Sequence, residues 1–207
     1  MTRPDAVIFD IGNVLVEWQP ERFFDRIIGS AARRRMFAEI DLHRMNDRID
    51  RGAPFRRTVY AWAERYPEWA EMIRLWHDNW IDMAAPEVPH SVRLLERLRR
   101  AAVPVFVLSN IGEETMAIAS AAYGFLRGFD RFYVSGAMKM AKPDPKIYAS
   151  VEQDCGIAPD RLLFVDDRQQ NIDAAAARGW RVHRFDGPHG WAARLVAEGL
   201  LTQEEAL

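Results

Sequence analysis

The stretch Val7–Val16, VIFDIGNVLV, decides how this chain is read. Ala6 to Phe9 is an unbroken apolar run, suited to a strand buried on both faces. Asp10 falls where that strand ends and a Gly-Asn turn begins. A carboxylate there has two readings. It can be a turn former that caps the next segment. It can also be a nucleophile or metal ligand, because the ligand crevice of an open α/β sheet lies at the carboxyl ends of its strands.

Working outward, 207 residues at 49% hydrophobic suffice for one sizeable core. No apolar run approaches the roughly 18 residues of a membrane-spanning helix. The N-terminal residues also lack the apolar stretch of a secretion signal, so a cytoplasmic protein is expected. Cys155 has no partner for a disulfide and is read as structural. A net charge of −2 gives no footprint for nucleic acid or an anionic membrane. The arginine clusters at 33–35 and 99–100 are read as solvated helix faces. His43, His77, His90, His183 and His189 show no zinc-ligand spacing.

From Glu17 to Pro86 the apolar residues recur at helical spacing and no strand is evident. Three to five short helices are expected, with breaks at 50–54 and at Tyr66-Pro67. Trp69, Trp76 and Trp80 are spaced as one helix face, either core or an aromatic wall over a pocket. From Val88 onward helices and strands alternate. Strands are expected at 103–108, 131–135, 162–165 and 180–185. Asp144 and Pro145 read as the cap and first position of a helix through Cys155. Gly179 stops another helix, and Thr202 to Glu205 reads as a capping box opening a tail helix.

Alternating strands and long helices predict a parallel sheet with helices on both faces. Strand ends then share one edge, so Asp10, Ser109-Asn110 and Asp166-Asp167 converge there, with Lys142 from a loop. Carboxylates meeting this way repel one another unless a cation lies among them, and all-oxygen ligands favour Mg2+. Lysine, hydroxyl and amide donors suit a phosphoryl group, and one carboxylate is free to act as nucleophile.

These motifs resemble those of the haloacid dehalogenase superfamily: Asp10 in FDIGNVL, Ser109-Asn110 in VFVLSN, Lys142 in KPDPKIY and Asp166-Asp167 in FVDDRQQNI. The resemblance covers essentially the whole chain. It implies a Rossmann-like catalytic core at residues 1–16 and 87–207, with an inserted all-helical cap of type 1 at 17–86. The branch most resembled holds sugar-phosphate phosphatases and the phosphatase domain of soluble epoxide hydrolases. By resemblance, Asp10 attacks phosphorus and ligates Mg2+ with the Gly12 carbonyl and Asp167, while Asp166 supports the site. Ser109 and Asn110 hold the phosphate and Lys142 neutralises charge, with Lys139 as the fallback lysine. Asn171 stands where many relatives carry another acid.

Phosphatases of this superfamily usually place a general acid two residues after the nucleophile, and here that residue is Gly12. Such an acid is typically worth about 10²- to 10⁴-fold in rate. A leaving group that departs readily, such as the anomeric oxygen of a hexose 1-phosphate, needs it less. Glu17, His43 or a water can be considered as substitutes. The expected partner is a small phosphate ester. Two alternatives stand beside the phosphatase: a 2-haloacid dehalogenase, against which the Asp166-Asp167 pair argues, and a non-catalytic binding protein of the same fold. The sequence leaves the ester and the oligomeric state open.

Overall fold

The computed structural model describes residues 2–207. At its centre lies a five-stranded sheet in the order β3-β2-β1-β4-β5, with every neighbouring pair parallel. The strands are β1 (Ala6–Phe9), β2 (Val105–Ser109), β3 (Arg131–Val134), β4 (Leu162–Asp166) and β5 (Arg181–Arg184). The three inner strands are buried along their whole length, whereas the edge strands β3 and β5 carry exposed or half-buried residues.

Successive side chains of a strand point to opposite faces, and two apolar clusters result. Val7, Phe9, Val105, Val107, Leu163 and Val165 enter one, while Ile8, Phe106, Leu108, Leu162 and Phe164 enter the other.

Between β1 and the rest of the sheet the chain is helical. It forms α1 (Pro20–Glu39), α2 (Leu42–Asp50), α3 (Phe55–Ala63), α4 (Ala70–Asp78) and α5 (Trp80–Met83). Helix α1 is broken at Gly29, whose φ of +77° and ψ of 154° lie outside helical geometry. Then follow α6 (Pro89–Arg100), α7 (Glu113–Ala122), α8 (Ser135–Met138), α9 (Pro145–Cys155), α10 (Gln169–Ala177) and α11 (Pro188–Ala197). Helices α6, α7 and α11 contribute to the first cluster, α9 and α10 to the second. The first cluster continues into the helical segment through Phe23, Phe24, Trp62 and Trp76. The segment's outgoing and returning passages run side by side, with Glu17 N–H donating to Pro86 O at 2.9 Å and Gln19 N–H to Met83 O at 2.8 Å.

Two local expectations change. Trp69, Trp76 and Trp80 do not share a helix face. Trp69 lies in the short 3-10 turn Pro67–Trp69, and Asn79, at φ −123° and ψ 26°, separates α4 from α5. The capping box forms, with Thr202 N–H donating to the Glu205 carboxylate and Glu205 N–H to Thr202 Oγ1. It closes only a turn, in which Ala206 N–H reaches Thr202 O, and no helix propagates from it. In the first arginine cluster Arg33 pairs with Asp25 and the exposed Arg35 with Glu39 and Glu68, and in the second Arg99 donates to Phe125 O. No helix among the described residues is long and apolar enough to cross a membrane.

Phe9, fully buried on β1, meets Trp191 of α11 edge-on at 5.6 Å and Phe129 at 6.1 Å. Phe9→Ala is expected to lower unfolding stability by about 3–5 kcal/mol, read as a reduced urea midpoint. An unshifted midpoint would show that this face of the sheet does not hold the fold together.

Candidate active site

The register of the sheet assembles the site. Phe9 is level with Val107 on one side and Val165 on the other, so Asp10 and Asp166 leave the sheet at one height, and Ser109 one residue beyond. Strand order also reverses around β1, the position at which open α/β sheets form their crevice.

Lys142, almost fully buried, places its ammonium 2.5 Å from Asp166 Oδ2 and 3.1 Å from Asp10 Oδ1. Asp10 Oδ1 also accepts from Ser109 Oγ and from Ile11 N–H, each at 2.7 Å. Asn110 fixes the lysine from behind. Its Nδ2 donates to Lys142 O at 2.9 Å, and its Oδ1 accepts from Lys142 N–H at 2.8 Å. Lys139 is exposed at the end of α8.

Asp166 is fully enclosed and saturated by donors: Lys142, the Arg168 N–H at 2.8 Å and Asn171 Nδ2 at 2.9 Å. Asp167 is less enclosed and has one side-chain partner, Asn13 Nδ2 at 2.9 Å. Asn13 also accepts from Trp18 N–H, which ties the turn after β1 to the end of β4. Its φ of +56° is one that asparagine tolerates better than most residues. That tolerance is the only signal the sequence gave, and it read simply as turn chemistry.

The electrostatics follow from three carboxylates facing one ammonium. Burial pushes the Asp10 carboxyl up to about 7; Asp166 and Asp167 push the same way, against Lys142 and Ser109. Asp167 is also raised, first by burial and then by Asp166, with Asn13 opposing. Burial works against the Lys142 charge, yet Asp10 and Asp166 outweigh it and hold the ammonium above its ordinary value.

Asp10, Asp166 and Asp167 each offer an oxygen, all within 4.8 Å of one another. Asn171 Oδ1 beside them is buried without a donor. An excess of buried negative charge plus an orphaned acceptor fits a hydrated hard cation, whose water would donate to Asn171.

These groups open into a cavity of about 430 Å³. The helical segment walls it with Trp18, Trp76 and Trp80 and with the polar side chains of His43, Asn46, Asp47 and Asp50. Trp76 Nε1 donates to Asn46 Oδ1 at 3.2 Å, and Asn46 Nδ2 to Asp50 Oδ2 at 2.8 Å. Glu17 reaches the rim, ion-paired with Arg22 at 2.6 Å, and exposed His43 lies 3.4 Å from Glu21. A Cβ on Gly12 would meet nothing nearer than Trp18 Cβ at 3.8 Å, so sterics do not demand glycine there.

A family model described as haloacid dehalogenase-like hydrolase matches residues 4–179. Among curated proteins, (S)-2-haloacid dehalogenase 4A of Burkholderia cepacia is 29% identical over 98 residues, 47% of this chain and 42% of the relative. Enolase-phosphatase E1 of Persephonella marina is 25% identical over 108 residues, 51% and 47% of the two chains. The chain thus matches less than half the length of these relatives. Among solved structures, a HAD family enzyme of Bacteroides thetaiotaomicron superposes with a TM-score of 0.74 at 22% identity, over 94% of this chain and 99% of that one. The same enzyme in complex with magnesium and inorganic phosphate gives 0.68 at 21% identity, over 89% and 95%. An L-2-haloacid dehalogenase of Xanthobacter autotrophicus with chloropropionic acid covalently bound gives 0.63 at 22% identity, over 100% and 87%. At these identities the superpositions show a shared fold.

A proton held by Asp10 up to about pH 7 must leave before a cation can bind there. The rise in melting temperature produced by a fixed Mg2+ concentration is therefore expected to grow between about pH 5 and about pH 7 and to level off above. A shift of equal size at every pH would place the ion elsewhere.

Proposed function

Because the chain belongs to the haloacid dehalogenase-like hydrolases, we propose that it is a Mg2+-dependent phosphomonoester hydrolase working through an aspartyl-phosphate. The observation that carries this reading is Asp167, a third carboxylate beside Asp10 and Asp166 without an ammonium of its own. A phosphatase can answer that charge with a divalent cation. A haloacid brings a further carboxylate and is repelled if no metal is present.

In this reading residues 17–86 act as a cap over a core of residues 1–16 and 87–207. Asp10 attacks phosphorus, and water then hydrolyses the acyl phosphate. Ser109, whose hydroxyl donates to Asp10 Oδ1, would turn that one proton to a phosphate oxygen as Asp10 engages phosphorus. Lys142 offsets the charge gathered at Asp10, and Asn110, bonded to the Lys142 backbone at both ends of its amide, positions that lysine. Bound between Asp10, the Gly12 carbonyl and Asp167, Mg2+ would neutralise the phosphate and orient it for attack. Asp166, saturated by Lys142 and Asn171, keeps the ammonium in place rather than reaching the ion directly.

The cavity suits a small ester whose leaving group has an apolar face and several hydroxyls, since Trp18 and Trp80 share the wall with Asn46 and Asp47. A sugar phosphate such as a hexose 1-phosphate meets that description.

A second reading, 2-haloacid dehalogenation by the same Asp10, is favoured by the 29% identity to a haloacid dehalogenase and by Gly12, since attack on carbon needs neither metal nor proton donor. Phosphate and chloride release, measured side by side with and without EDTA, separate the two. Phosphate release is expected, abolished by EDTA and lowered by about 10³-fold or more in Asp10→Asn. Chloride release indifferent to EDTA would establish the second reading, and equal phosphate release by wild type and variant would leave a binding protein.

A further inference from the structure

Gly12 leaves no acid two residues after the nucleophile, and a proton donor for the leaving oxygen has to come from elsewhere on the cavity wall. Three acidic or imidazole side chains there are poorly suited. Glu17 is held by Arg22 at the rim, while His43 and Asp47 are exposed. Asp50, the last residue of α2, differs from them in three respects.

Its helix end is seated directly on the core. A Cβ on Gly112 would lie 2.7 Å from Ile49 Cγ2, and one on Gly52 2.6 Å from Gly136 O, so glycines on both sides permit the approach. Ser135 Oγ, at the start of α8, donates to Asp50 O at 2.6 Å. The side chain is aimed by the relay Trp76 to Asn46 to Asp50, and the carboxyl lines the cavity that holds Asp10. It has no ammonium or guanidinium bonded to it. Burial raises its affinity for a proton well above the ordinary carboxylate range. The charges of Asp47 on its own helix and Asp10 on the facing strand add to this, with the Gly112 N–H and the Arg168 charge opposing.

The geometry points to Asp50 as the general acid and base of the hydrolysis, supplied by the cap in place of Gly12; the inference rests on the phosphatase reading above. In the first step an Asp10 oxygen bonds to phosphorus and the bond from phosphorus to the leaving oxygen breaks. The leaving oxygen keeps that electron pair and takes the Asp50 proton, so the alcohol departs neutral. In the second step water attacks the aspartyl-phosphate, the bond from phosphorus to Asp10 breaks, and the Asp50 carboxylate accepts the water's proton. Phosphate leaves and both side chains return to their starting states.

General acid catalysis matters most for a poor leaving group. Wild type and Asp50→Asn are to be compared, with saturating Mg2+, on phosphomonoesters running from alkyl phosphates to p-nitrophenyl phosphate. Asparagine can still accept the Asn46 bond, so the seat of α2 is kept. On the alkyl esters kcat/KM, which reports only the steps up to the aspartyl-phosphate, is expected to fall by about 10²- to 10⁴-fold, and the ratio of wild-type to variant kcat/KM should shrink steadily as the leaving group becomes more acidic. The gradient is read within one preparation of each protein, so a partly unfolded variant cannot imitate it. A ratio that is the same for every ester, or no loss on alkyl esters, overturns the role of Asp50. Failure of the wild type to hydrolyse any ester overturns the phosphatase reading itself, and this inference with it.

Discussion

A single ammonium, buried between two carboxylates, is the contact on which the site depends. Lys142 lies against Asp166 and Asp10 where water cannot screen it. Removing one member of such a set leaves an uncompensated buried charge, which costs far more than the pair's net contribution. The rest of the arrangement serves this contact. Asn110 clamps the Lys142 backbone, Asn171 and the Arg168 N–H hold Asp166, and Ser109 holds Asp10. The parallel register brings the three strand ends to the heights at which these bonds can form.

One ammonium does not balance the set, and that imbalance connects structure to chemistry. Burial first, and then that surplus of negative charge, raise the proton affinity of Asp10 and Asp167. In the proposed reading a cation held there would relieve the surplus and leave Asp10 ionised, as a nucleophile must be. The helical wall repeats the pattern on a smaller scale. Asp50 lies among acidic neighbours with only partial compensation, and burial first, then Asp47 and Asp10, raise its affinity for a proton. Two carboxyls with raised proton affinity thus face one cavity, and the proposed mechanism needs only Asp10 to be ionised. In the proposed mechanism a cation beside Asp10, with none beside Asp50, would separate the two.

The helical segment does more than cover the cavity. Its aromatic residues continue the sheet's own apolar cluster, so the wall carrying Asn46 and Asp50 is anchored by the packing that stabilises the core. Trp76 joins both roles, fully buried among Phe24 and Phe37 while its indole N–H orients Asn46.

The sequence alone determined the parallel α/β architecture and the convergence of Asp10, Ser109, Lys142 and Asp166-Asp167, because apolar runs ending on polar residues are local patterns and a parallel sheet brings their ends together. The helical nature of residues 17–86 was equally legible from spacing. Only the tertiary structure decided what each polar group faces. Asn13 read as turn chemistry until its amide met Asp167, 154 residues away in sequence. Asp50 read as the start of a turn until α2 settled on Gly112 and Gly136. The three tryptophans read as one stripe until Asn79 broke the helix between two of them. Periodicity reports which side of an element is apolar. The partner a side chain meets is set by contacts between distant segments, which the order of residues does not state.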